Sequence, residues 1–102
     1  MVLAELSIWP MDKGESVGAY VARALQVIDQ SGLDYRLGPM GTTIEGEWEP
    51  VMAVVSQCFR ELARDCNRIS CSLRIDYRKG HSGRLEAKVA SVEKHIGKPL
   101  KT

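Results

Sequence analysis

Six polar side chains fall at alternate positions in three segments that read as strands: Glu5 and Ser7, Thr43 and Glu45, Arg74 and Asp76. A spacing of two puts each pair on one face of its strand. If the three strands are neighbours, three carboxylates, two hydroxyls and one guanidinium share a surface. Carboxylates accept hydrogen bonds from amines, while hydroxyls both donate and accept. The carboxylate excess therefore suits a ligand with positive charge or amine donors. An aromatic wall, Trp9 or Tyr35, would stack on a flat cationic ring. No Ser/His/Asp or Cys/His set stands out as a nucleophile with its base, so no catalytic residue is assigned and the chain is not read as an enzyme.

Other candidate groups carry less. His81 and His95 have no spacing that pairs them as metal ligands, and Cys58, Cys66 and Cys71 lack C-x-x-C spacing, so neither a metal nor a disulfide framework is expected. Cys58 falls on an apolar helical stripe and reads as packing. Gly38 and Gly41 are turn glycines, because no strand-loop-helix context makes them a phosphate loop. No cofactor is implied. Fourteen basic against thirteen acidic residues give a net charge of +1, without the basic excess of a nucleic-acid binder. Met1-Val2-Leu3-Ala4-Glu5 lacks the positive n-region of a secretory leader, and no stretch is long enough to span a membrane. Unpaired cysteines fit a reducing compartment, and a cytoplasmic location is expected.

The elements that must position these residues can be read from periodicity. The chain has 102 residues, enough for one domain over 1–102. Val2, Ala4, Leu6 and Ile8 alternate with Leu3, Glu5, Ser7 and Trp9, a strand closed by Pro10. A helix opens at Ser16 and carries Val17, Val21, Ala24, Leu25 and Ile28 before Ser31-Gly32 stops it. Leu33, Tyr35 and Leu37 form a short strand, and Gly38-Pro39-Met40-Gly41 turns it into a second β segment over 42–47. Pro50 reads as the first position of a helix bearing Val51, Val55, Cys58 and Leu62 and reaching Asp65 or Cys66. Ile69 to Tyr77 alternate through the longest strand, and Leu85, Val89, Val92 and Ile96 mark a last helix.

The order βαββαβ plus a C-terminal helix is that of an α+β, ferredoxin-like fold. It predicts a four-stranded antiparallel sheet in the order 4-1-3-2, with right-handed crossovers placing both main helices on one face. The other face is expected to stay open and to carry the six residues, with Arg74 and Asp76 flanking Glu5 and Ser7. Three readings of that face follow from the residues alone. An interface with a second copy ranks first, because Leu3 and Trp9 lie there and a small domain benefits from extra burial. A solvated surface with cross-strand ion pairs ranks second and a ligand site third.

Several segments also resemble a known family. Ser16-x-x-x-Tyr20-Val21-Ala22, Ser31-Gly32-Leu33-x-Tyr35, the run Pro39-Met40-Gly41-Thr42-Thr43-Ile44-Glu45-Gly46-Glu47, Leu73-Arg74-Ile75-Asp76-Tyr77-Arg78 and Lys88-Val89 are similar to the YkoF-like family of thiamine-binding proteins. The resemblance implies a ferredoxin-like domain that pairs its sheets into dimers or dimers of dimers. It also implies non-enzymatic binding of thiamine or its hydroxymethylpyrimidine portion, for buffering or delivery of the vitamin. Thr43, Glu45 and Asp76 carry over as the first ligand contacts, with Glu5, Ser7, Tyr35 and Arg74 in support. A purely structural homo-oligomer, or a binder of another small ligand or anion at this face, is the alternative.

Overall fold

A computed structural model describes residues 1–102 as β1 (Val2–Pro10), α1 (Gly18–Gln30), β2 (Asp34–Leu37), β3 (Thr42–Gly46), α2 (Trp48–Ala63), β4 (Ile69–Tyr77) and α3 (Arg84–Ile96). The strands form one antiparallel sheet in the order β2-β3-β1-β4. This is the ferredoxin-like arrangement expected from the element order.

The aliphatic parity of β1 decides which face is covered. Val2, Ala4, Leu6 and Ile8 are buried with Ile44 of β3, Ala24 and Ile28 of α1, and Val51, Val54, Val55, Cys58 and Leu62 of α2. Removing this apolar surface from water is the main stabilising contribution to the fold. Gly46 ends β3 in close quarters, since a Cβ there would lie 3.0 Å from Leu33 Cδ2 and 3.2 Å from Val51 Cγ2 and would push those side chains back by a few tenths of an ångström. Arg23 of α1 ties the two helices together through Glu61 at 3.1 Å and Asp65 at 3.0 Å.

Helix boundaries differ from the sequence reading in three places, one being that α2 ends at Ala63 rather than at Asp65 or Cys66. The first helix begins at Gly18 rather than Ser16, with Val17 at its N-cap and no side-chain cap. The second begins at Trp48, so Pro50 is its third residue rather than its first. Proline is tolerated there for the same reason, because the first four N–H groups of a helix have no intrahelical acceptor.

The larger correction concerns the open face. Helix α3 packs against β3 and β2 from the side opposite α1 and α2, so one end of that face is covered. It buries no residue of its own, and Val92 and Ile96 remain 52% and 54% exposed. An apolar stripe shows that a helix wants a partner but not which surface it meets.

Candidate functional site

Two rows of side chains run across the open face. Strand pairing aligns Arg36, Thr43, Glu5 and Arg74 in one row, and Asp34, Glu45, Leu3 and Asp76 in the next. Five of the six expected polar residues thus lie in two adjacent rows. Asp76, however, stands opposite Leu3, and Ser7 opposite Ser72, so only Arg74 flanks Glu5 as expected. The Arg74 guanidinium lies 3.6 Å from the Glu5 carboxylate, with both side chains at least half exposed.

Glu45 does something the sequence did not suggest. It is 4% exposed, and its Oε2 accepts the backbone N–H of Arg84 at 2.8 Å, with Leu85 N–H 3.5 Å from Oε1. These are the first two residues of α3, whose N-cap is Gly83 in a left-handed conformation (φ +66°) without a side chain to cap the helix. A carboxylate from β3 therefore supplies the cap, where the helix dipole also favours negative charge.

Asp76 holds the same helix from β4. Its Oδ2 accepts from Arg84 Nη2 at 2.6 Å and from Lys88 Nζ at 2.8 Å. The hydrogen bonds from Lys88 and then Arg84 hold its carboxyl below the ordinary value of 3.8. Arg84 thus joins two of the expected site residues, through its backbone to Glu45 and its guanidinium to Asp76.

Between α3, the 38–41 turn and the β1–β3 part of the face lies a cleft of about 790 Å³. Its floor includes Leu3, Glu5, Thr43 and Arg36; Leu85, Lys88 and Val89 of α3 form one wall, and Pro39 and Met40 the other. Of the residues named from sequence, it brings together Glu5 and Thr43. Ser7, Glu45, Arg74 and Asp76 are on the same face but outside its lining. The cleft lies within the size range of small-molecule sites, with apolar walls and a few polar groups.

Tyr35 is a correction. It pairs with Ile44, so its ring is on the helix-covered face, packed against the core, and its hydroxyl donates to Asp29 Oδ1 at 2.7 Å. That hydrogen bond raises its pKa. Trp9 stands opposite Ser70 at the far end of the face, and no aromatic side chain lines the cleft. The expected stacking wall is replaced there by Leu3, Met40, Leu85 and Val89.

Sequence reasoning missed Arg36, Met40 and the α3 wall as site elements. Arg36 was within reach, because it alternates with Tyr35 and must face the other way. The α3 residues were not, since their placement depends on the long-range cap from Glu45.

Comparison with known proteins adds a family. The model of the family described as thiamine-binding protein matches residues 4–93 of the chain. UPF0045 protein MT1949 of Mycobacterium tuberculosis is 37% identical over 99 residues, covering 96% of this chain and 97% of that one. The crystal structure of hypothetical protein MJ1052 from Methanocaldococcus jannaschii superposes with a TM-score of 0.85 at 32% identity, over 91% of this chain and 96% of that one. A candidate thiamine biosynthesis/salvage protein of Thermotoga maritima gives 0.79 at 31% identity, over 89% and 97%.

Proposed function

We propose that this chain, which belongs to the thiamine-binding protein family, binds thiamine or its hydroxymethylpyrimidine moiety in the cleft under α3. The observation that carries the reading is the pairing of Glu5 with Thr43 on the floor of a ligand-sized, apolar-walled cleft. The Glu5 carboxylate accepts from the pyrimidine amine or faces the cationic ring, and the Thr43 hydroxyl serves a ring nitrogen. Glu45 and Asp76 act one step back, by fixing α3 and its Lys88 above the ligand. Arg74 lies beside the Glu5 carboxylate and helps to place it, and Ser7 extends the polar floor toward β4's Ser72.

The role in this reading is binding, as a buffer or carrier of the vitamin in the cytoplasm, which the family's description as thiamine-binding supports. The protein works as a homodimer or a dimer of dimers, in which a second copy covers the remainder of the open face. The exposed Val89, Val92 and Ile96 of α3, together with Trp9, support that reading. The second copy would also bring the aromatic wall that one protomer lacks.

Isothermal calorimetry with thiamine and with hydroxymethylpyrimidine tests the proposal. Saturable heat is expected from the wild type, weakened at least tenfold by Glu5→Gln with the fold intact. Folded protein that gives no heat at millimolar ligand would overturn it.

A further inference from the structure

Helix α3 presents a row of side chains to the cleft. Leu85, Val89 and Glu93 recur at i, i+4 and i+8, with Glu86 and Ala90 beside them, and all five line it. The Arg84 end of this wall is fixed by the cap from Glu45. The other end is finished by the residues that follow the helix.

Gly97 closes α3 in a left-handed conformation (φ +89°), and its N–H donates to the Glu93 C=O at 2.8 Å. That conformation, followed by Lys98-Pro99, turns the backbone off the helix axis, because proline cannot continue a helix. Had the helix run on, Thr102 would stand about 14 Å beyond Glu93 along the axis. Instead, Thr102 lines the same cleft as Glu93 and Ala90. Residues 98–102 therefore fold back beside the last turn.

One side-chain hydrogen bond holds the fold-back. Leu100 N–H donates to Glu93 Oε2 at 2.6 Å, a short bond of the kind a carboxylate accepts. Within residues 91–102 only Glu93 and Leu100 are half-buried, and the others are exposed.

We infer that residues 98–102 form a strap along the Glu93 end of the cleft, and that Glu93 is the positioning residue that latches it. The strap narrows the way out, so a bound ligand leaves more slowly. Its effect on thiamine rests on the function proposed above, whereas the latch itself does not. A carboxylate in the cleft wall has one other use, direct contact with the cationic ring. The latch is favoured because Glu93 Oε2 is already taken by the Leu100 N–H.

Three substitutions in the full chain separate the two roles, with the thiamine dissociation rate as readout and circular dichroism as the check on folding. Glu93→Ala removes the acceptor, Leu100→Pro removes the donor, and Glu93→Gln keeps an acceptor oxygen without the charge. Release should quicken about fivefold in the first two, a size set by one hydrogen bond, and stay near the wild-type rate in Glu93→Gln. Fast release from Glu93→Gln beside unchanged Leu100→Pro would make Glu93 a ligand contact and overturn the strap, as would unchanged release from all three. The ligand-free readout is the Leu100 amide, which should exchange slowly in wild type and rapidly in Glu93→Ala. Free exchange at Leu100 in wild type would overturn the latch whether or not thiamine binds. A protected Leu100 in a chain that binds no thiamine would uphold the latch and overturn only the proposed ligand.

Discussion

Helices α2 and α3 lie on opposite faces of one sheet, and each carries an apolar stripe. The stripe of α2 disappears into the core, with Val51, Cys58 and Leu62 at 0% exposure. The stripe of α3 stays largely in solvent, and the helix is held by two carboxylates, Glu45 at its N-terminus and Asp76 beneath Arg84 and Lys88. Apolar burial is non-directional and large in sum, whereas a cap or an exposed ion pair contributes little and demands geometry. The comparison teaches that one side of the sheet supplies stability. The other keeps a helix near a cleft without closing it, which is what a binding site needs.

The comparison would break first at the core. Leu62→Ala should cost about 2–5 kcal/mol, since it empties a fully buried site, and denaturant melting would measure it. A cost well under that would mean that α2 is no better anchored than α3. Glu45→Ala comes next, with an expected loss of about 1 kcal/mol from an uncapped helix. The sharper readout is hydrogen exchange: the amides of α3 should speed up while those of α1 and α2 do not. Uniform acceleration would make Glu45 part of the global fold.

Asp76 gives a smaller, pH-dependent effect. Its folded pKa is depressed by Lys88 and Arg84, so its stabilising contribution is present above the ordinary value of 3.8 and is lost as pH falls through the folded value. Asp76→Asn should therefore lower stability modestly at neutral pH, where the carboxylate is ionised, flatten the acid limb below about pH 4, and converge with wild type at the lowest pH. An acid limb identical to wild type would show that the pair forms only weakly in solution. The least disruptive comparison is by thiol labelling. Cys71 is exposed and should react in the native protein, while Cys58, buried and pushed up to about 11, should react only on unfolding. Native labelling of Cys58 would place α2 among the loosely held elements.

What the sequence revealed and what it hid follow the same division. β1, β3 and β4 were legible because alternation of Val2, Ala4, Leu6 and Ile8, and of Ile69 to Tyr77, has a period of two that assigns faces directly. The strand order followed from the βαββαβ sequence of elements. Tyr35 was misplaced because its type was weighed above its parity, which sets it with Ile44 on the covered face. The docking of α3 was not legible at all. Its cap comes from Glu45, 39 residues before Arg84, and a carboxylate on a strand face gives no local sign that it will meet a helix end. The cleft, being a product of that docking, was hidden with it.

The central claim, that the α3 side of the sheet is the binding side, is tested most directly by amide chemical-shift mapping with thiamine. The prediction is that saturable shifts gather at Glu5, Thr43, Met40 and Val89, with none at Ala24, Cys58 or Leu62. Shifts centred instead on the apolar hollow between Trp9, Val21 and Leu25, or no shifts at millimolar thiamine, would contradict it.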